Sequence, residues 1–133
     1  MNWTHRLILG GLMSISFTAI GLCATDPCDA IVIANKATMQ SKYTTTSKPT
    51  GVPLVPHMGK IHMHYKDHSC KFVRNDSING EAVGIYTQHM ASPEGSTDEE
   101  FWISKQSDKI LREEIDGEIT GSGHGHLSMQ YHY

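Results

Sequence analysis

Phe72-Val73-Arg74-Asn75-Asp76-Ser77-Ile78-Asn79-Gly80-Glu81-Ala82-Val83-Gly84-Ile85-Tyr86-Thr87-Gln88-His89-Met90 is the stretch on which the fold turns. Asn-Gly between two strand-like runs is a strong hairpin signal, because the tight turn that suits twisted strands needs positive φ at both central residues. It predicts one strand over Phe72–Ile78 and its partner over Glu81–Met90. Downstream, Ala91–Glu100 reads as a polar connection turning at Pro93-Glu94-Gly95. Phe101–Lys105 and Ile110–Ile115 read as two short strands joined through Gln106-Ser107-Asp108. Asp116-Gly117 then opens a last turn, and Gly121–Gly125 is a glycine-rich connection. In the final strand, Leu127, Met129, Tyr131 and Tyr133 alternate with His126, Ser128, Gln130 and His132.

Upstream of the hairpin, Lys60–Tyr65 alternates, with Ile61, Met63 and Tyr65 on one face and His62 and His64 on the other. Ser47–Pro56 carries Pro49, Pro53 and Pro56 and reads as a loop or an edge segment. Before it lies one legible helix, from about Asp26 to Lys42. Asp26 can cap it, Pro27 suits its first position, and Asp29 puts acid at the positive end of the helix dipole. Ala30, Ile33, Ala34 and Ala37 recur at helical spacing, with Ile31 and Val32 widening the stripe. One helix followed by about six strands is an α+β domain, an antiparallel meander with a helix covering one face.

Ahead of the helix, His5-Arg6 precede a charge-free, mostly apolar run from Leu7 to Leu22, and Leu22-Cys23-Ala24 offers a cleavage site before Thr25. The run is shorter than the ~20 apolar residues of a membrane span. Residues 1–24 therefore read as a signal peptide and 25–133 as a single domain of an exported, periplasmic or secreted protein with no transmembrane anchor after cleavage. A lipid-modified Cys23 is disfavoured, since bulky Leu22 stands where a small residue should precede the cysteine.

Cleavage leaves 109 of the 133 residues, enough for one compact domain. Ten basic side chains then face 14 acidic ones, and the absence of any basic cluster argues against a nucleic-acid partner. Cys28 and Cys70 remain, and two cysteines in an oxidising compartment most often pair; the alternative is two separate buried thiols. Closing that loop would contribute about 4 kcal/mol on the chain-entropy model.

Several landmarks carry a resemblance. Cys28-Asp29-Ala30 opens the helix, and Cys70-Lys71 begins a strand that runs on to Ile78-Asn79-Gly80-Glu81-Ala82-Val83-Gly84-Ile85-Tyr86. Phe101-Trp102-Ile103-Ser104-Lys105 and Lys109-Ile110-Leu111-Arg112 follow, before a close on His126-Leu127-Ser128-Met129-Gln130-Tyr131-His132-Tyr133. The order resembles small exported bacterial proteins related to the LolA/LolB-type lipoprotein carriers. The resemblance implies a curved antiparallel sheet, a half-barrel holding the helix in its concavity, with an apolar surface able to shelter a lipid chain or another hydrophobic ligand. Only Tyr43–Ser69 separates the helix from Cys70, fewer residues than such proteins carry, which implies a shortened sheet and a shallower concavity.

Histidine is the unusual component, with 9 in the chain. His57, Met58, His62, Met63, His64 and His68 crowd together, and on a strand His62 and His64 would point the same way about 7 Å apart. Imidazole with thioether favours copper, which makes His62, His64 and His68 an alternative metal set; histidines alternating along a strand are more often a solvated face. Nucleophilic catalysis finds no motif: there is no Gly-x-Ser-x-Gly elbow and no phosphate-cradling loop. Asp98-Glu99-Glu100 and Glu113-Glu114 read as solvated faces and edge guards, since neighbours on a strand point opposite ways.

The expected function is therefore non-enzymatic and without a cofactor: binding of a hydrophobic ligand or of a protein partner in the cell envelope. The alternatives are a copper-binding protein and an inhibitor or immunity protein that caps a partner. Tyr86, Trp102, Ile85, Ile103 and Met129 are the candidate ligand-facing residues. The helix is expected to cover Val83, Ile85, Phe101, Ile103, Leu127 and Met129, as the more continuous apolar set.

Overall fold

The computed structural model describes residues 26–54 and 67–133. The expected signal peptide with Cys23, the run from His57 to His64 and the expected strand Lys60–Tyr65 lie outside the described residues. The chain forms α1 (Pro27–Met39), β1 (Thr44–Gly51), β2 (Asp67–Ile78), β3 (Glu81–Ser92), β4 (Gly95–Ser104), β5 (Ile110–Ile119) and β6 (Gly123–His132). The strands make one open sheet in the order β1-β6-β5-β4-β3-β2, with every neighbouring pair antiparallel. An α+β fold of one helix and six strands is what the periodicity predicts. No helix among the described residues is long and apolar enough to cross a membrane.

Asp26 caps α1 by accepting from the Cys28 amide at 2.7 Å, and Pro27 occupies the first turn. The helix stops at Met39, short of the expected Lys42, where the Ser41 hydroxyl donates to the Ala37 carbonyl. Its buried face is Ile31, Ala34 and Thr38, while Ile33, expected inside, is 48% exposed. Ala30 to Ala34 is apolar without a break, so periodicity alone does not choose the face. Two tethers choose it: the Cys28–Cys70 disulfide to β2, and the Ile110 amide donating to Thr38 Oγ1 at 2.9 Å. Cys28, Ile31 and Thr38 share one side of the helix, and that side goes down onto the sheet.

Asn79 (φ 49°) and Gly80 (φ 83°) form the predicted hairpin turn between β2 and β3. The polar connection expected over Ala91–Glu100 is instead mostly strand: Ser92 pairs with Gly95 across the two-residue turn Pro93-Glu94. Asp116-Gly117 is not a turn either, because β5 runs through it to Ile119. Its glycine serves close approach. A Cβ on Gly117 would sit 2.9 Å from Leu54 Cδ2, and one on Gly125 would sit 2.0 Å from the Val52 carbonyl oxygen. The chain leaving β1 crosses the sheet there, and only glycine lets it lie so close. Ser47 to Gly51 belongs to edge strand β1, where Pro49 is tolerated.

Residues directly opposite in an antiparallel ladder share a face. Phe101, Ile103, Ile110, Ile115, Leu127, Met129 and Tyr131 pack with Ile31 and Ala34 of α1. Each buried aliphatic among them is worth about 1.5–3 kcal/mol. Val83 and Ile85, expected in this set, lie on the other face: the register pairs Ile85 with Trp102 and Val83 with Ser104, while Tyr86 opposes Phe101. The cause is the two-residue turn at Pro93-Glu94, which sets odd-numbered residues of β3 against even-numbered residues of β4. Both side chains are nonetheless fully buried.

Candidate functional site

Three rows of side chains cross the face opposite α1. The register sets Arg74, Ile85, Trp102, Arg112 and Gln130 in the first row. The second is Lys71, Thr87, Glu100, Glu114 and Ser128, and Lys48 of β1 ends it. The third is Ser69, His89, Asp98, Asp116 and His126. The first row is dry at its centre, with buried Ile85 beside Trp102 and the Arg112 guanidinium 4.7 Å from the indole centroid. The other two place carboxylates in the middle of the sheet and cations or imidazoles toward its edges. Glu100 directly opposes Glu114, and Asp98 directly opposes Asp116. An open groove of about 320 Å³ runs among Lys71, His89, Asp98, Glu100, Glu114 and Asp116.

Three of these carboxylates are engaged. Glu114 Oε1 accepts from Arg112 Nε at 2.9 Å and from Ser128 Oγ at 2.7 Å, and its Oε2 lies 2.9 Å from His126 Nε2. His126 Nδ1 lies 2.9 Å from Asp116 Oδ1, and His89 Nδ1 lies 2.7 Å from Asp98 Oδ1. With an acceptor-only carboxylate at each ring nitrogen, His126 must donate from both, so the arrangement is that of an imidazolium. The hydrogen bond to Asp116 holds the His126 pKa above its usual value; partial burial opposes this, and the charges of Asp116 and Glu114 add to the rise. Burial pushes the Glu114 carboxyl up, but hydrogen bonds from Arg112 and Ser128 and the positive charge of Arg112 and His126 outweigh it, leaving the pKa lowered. Glu100 has no hydrogen-bond or ion-pair partner among the described residues. Ser128 gives its hydroxyl proton to Glu114.

The expected ligand residues divide between the faces. Tyr86, Ile103 and Met129 lie on the side of α1, whereas Ile85 and Trp102 lie on the other, so the five do not share one surface. Tyr86 and Ile103 help line a groove of about 360 Å³ beside α1, with Ala30 and Ile33 on the helix and Lys105 and Asp108 at its mouth. Cys28 and Cys70 form a disulfide, with Cα atoms 5.2 Å apart. His68 of the alternative metal set stands at that bridge; His62 and His64 lie outside the described residues.

The acidic runs, expected as solvated faces and edge guards, guard no edge, and of their five residues only Asp98 is exposed. They sit on β4 and β5, inside the sheet, and Glu99 and Glu113 are buried on the side of α1. Tyr131 donates to Glu113 at 2.7 Å, and burial together with that carboxylate raises the tyrosine pKa. The cluster of His89, Asp98, Glu100, Glu114, Asp116 and His126 was missed because it forms across strands. Its signal is charge at period two, in Asp98-x-Glu100, in Arg112-x-Glu114-x-Asp116 and in His124-x-His126. Compared with known proteins, the chain matches no family model, no curated protein and no solved structure.

Proposed function

We propose that this is a non-enzymatic binding domain of an exported envelope protein, and that the sheet face opposite α1 receives a basic partner protein. The observation that carries the reading is the pair of in-register carboxylate couples, Glu100 with Glu114 and Asp98 with Asp116. Like charges directly opposite on a sheet cost stability. A lysine or arginine side chain entering the groove between them would offset that cost. The excess of 14 acidic over ten basic side chains in the domain after cleavage would steer such a partner in. The disulfide supports an oxidising location. Calorimetric titration with an oligolysine peptide at low salt tests the reading. Saturable binding that an oligoglutamate does not reproduce, and that Glu100→Gln weakens, is the expected result. Equal affinity in the Glu100→Gln protein would remove the face from the interaction.

A second reading is favoured by the groove beside α1: a hydrophobic ligand held between Ile33, Tyr86 and Ile103, in a shortened LolA-like half-barrel. Displacement of an apolar fluorophore by a fatty acid, abolished in Ile33→Asp, would support it over the first.

A further inference from the structure

His68 and Cys70 are two residues apart on β2 and therefore project from the same face, while Cys28 reaches them from the first turn of α1. The His68 Nε2 atom lies 3.7 Å from Cys70 Sγ and 4.0 Å from Cys28 Sγ. These three donors are the one metal-competent cluster of histidine, cysteine and carboxylate groups found among the described residues. We propose that the Cys28–Cys70 bridge and His68 form a redox-gated metal site: once reduced, the two thiolates and the imidazole bind one thiophilic d10 ion, zinc(II) or its like, with a fourth position open to an exogenous ligand.

The geometry is close to what such an ion requires. Zinc–sulfur bonds of about 2.3 Å and zinc–nitrogen bonds of about 2.0–2.1 Å at tetrahedral angles place nitrogen about 3.6 Å from each sulfur. His68 already stands within a few tenths of an ångström of that distance from both sulfurs. Only the sulfurs must part, to about 3.8 Å, by rotation of two half-buried side chains. The amino end of α1, which carries Cys28, favours a thiolate there. Thiolate with imidazole selects zinc or copper(I) over hard cations.

The chemistry balances simply. A dithiol reductant delivers two electrons and two protons, the S–S bond breaks to two thiols, and the reductant closes its own disulfide. Metal binding then releases the two thiol protons to solvent, and neutral His68 coordinates through Nε2. In the oxidised protein neither sulfur can become a thiolate, so the site exists only after reduction. A bound ion would in turn hold the chain reduced. This inference is independent of the basic-partner reading, because the site lies on the other face of the sheet.

The test uses the full chain, reduced with a dithiol that is then removed anaerobically, and titrated with cobalt(II) followed by zinc(II). One equivalent of cobalt with a thiolate charge-transfer band, displaced by zinc, is expected from the reduced protein and no such band from the oxidised one. His68→Ala should weaken zinc by about tenfold or more, the loss that even supporting residues of metal sites produce. Cys28→Ser/Cys70→Ser keeps every histidine and should show neither the band nor the zinc affinity of the reduced protein, which separates this site from the histidine run at 57–64. If reduction unfolds the chain, zinc should restore the far-ultraviolet signal, as binding and folding would then be one event. Absence of the band in reduced protein, equal zinc affinity in His68→Ala, or a failure of zinc to restore a reduced, unfolded chain would each overturn the proposal.

Discussion

The two faces of this sheet are built by the same strands and have opposite characters. On the side of α1, Phe101, Ile103, Ile115, Leu127 and Met129 pack against Ile31 and Ala34, and even the acids there, Glu99 and Glu113, are buried. On the other side, the residues between them in sequence are Glu100, Trp102, Glu114, Asp116, His126 and Ser128. Alternation at period two sends one set to each side. The core face is fixed by what it excludes, namely water. The second face is fixed by charge: two like-charge couples stand at its centre, with Glu114, Asp116 and Asp98 held by Arg112, Ser128, His126 and His89 around them.

The largest effect should come from placing a charge on either dry region. Ile103→Asp and Ile85→Asp each bury an unpaired carboxylate, and each should cost about 3–5 kcal/mol, a large part of a small domain's stability. Urea unfolding followed by circular dichroism measures both. A wild-type midpoint for Ile85→Asp would break the comparison, since the first row of the second face would then be wet. Next in size is Gly125→Ala, whose Cβ would collide with the Val52 carbonyl and force the crossing chain off the sheet. A loss of about 1–3 kcal/mol is expected, as for other overpacked sites.

A smaller effect depends on pH. The His126 pKa is raised in the folded chain, so its contribution is fully present below the unfolded value and is lost as pH rises through the folded one. The Glu114 pKa is lowered, so its contribution is present above the unfolded value and is lost as pH falls through the folded one. Both act together between about pH 4.5 and 6.5, the ordinary carboxyl and imidazole values. His126→Ala should therefore destabilise the protein more at about pH 5.5 than at about pH 8. A penalty that is the same at both would mean that the imidazole packs there without carrying charge.

The sequence was legible where local chemistry decides structure. Asp26-Pro27 marks the start of α1, Asn79-Gly80 marks the hairpin, and the two cysteines left after the expected export signal imply their bridge. It misled where one signal serves two purposes. Asp116-Gly117 resembles a turn, yet Gly117 is needed beneath Leu54, and the polar run Ser96–Glu100 is strand because its face need not be apolar. The phase between strands was hidden as well. Whether Ile85 meets Phe101 or Trp102 depends on the length of the turn at Pro93-Glu94, which hydrophobic alternation within a strand does not encode. The carboxylate and imidazole rows are a product of that phase, so no single segment could announce them.

The most direct test of the central claim, that the carboxylate couples cost the fold stability and are kept for a cationic partner, is the urea midpoint of Glu100→Gln against wild type at low salt. Neutralising an acid that opposes Glu114 and has no partner among the described residues should raise stability by about 0.2–1 kcal/mol. The gain should shrink as added salt screens the repulsion. A midpoint below wild type at low salt would show that Glu100 supports the fold, and the case for a charged face held in reserve for binding would be contradicted.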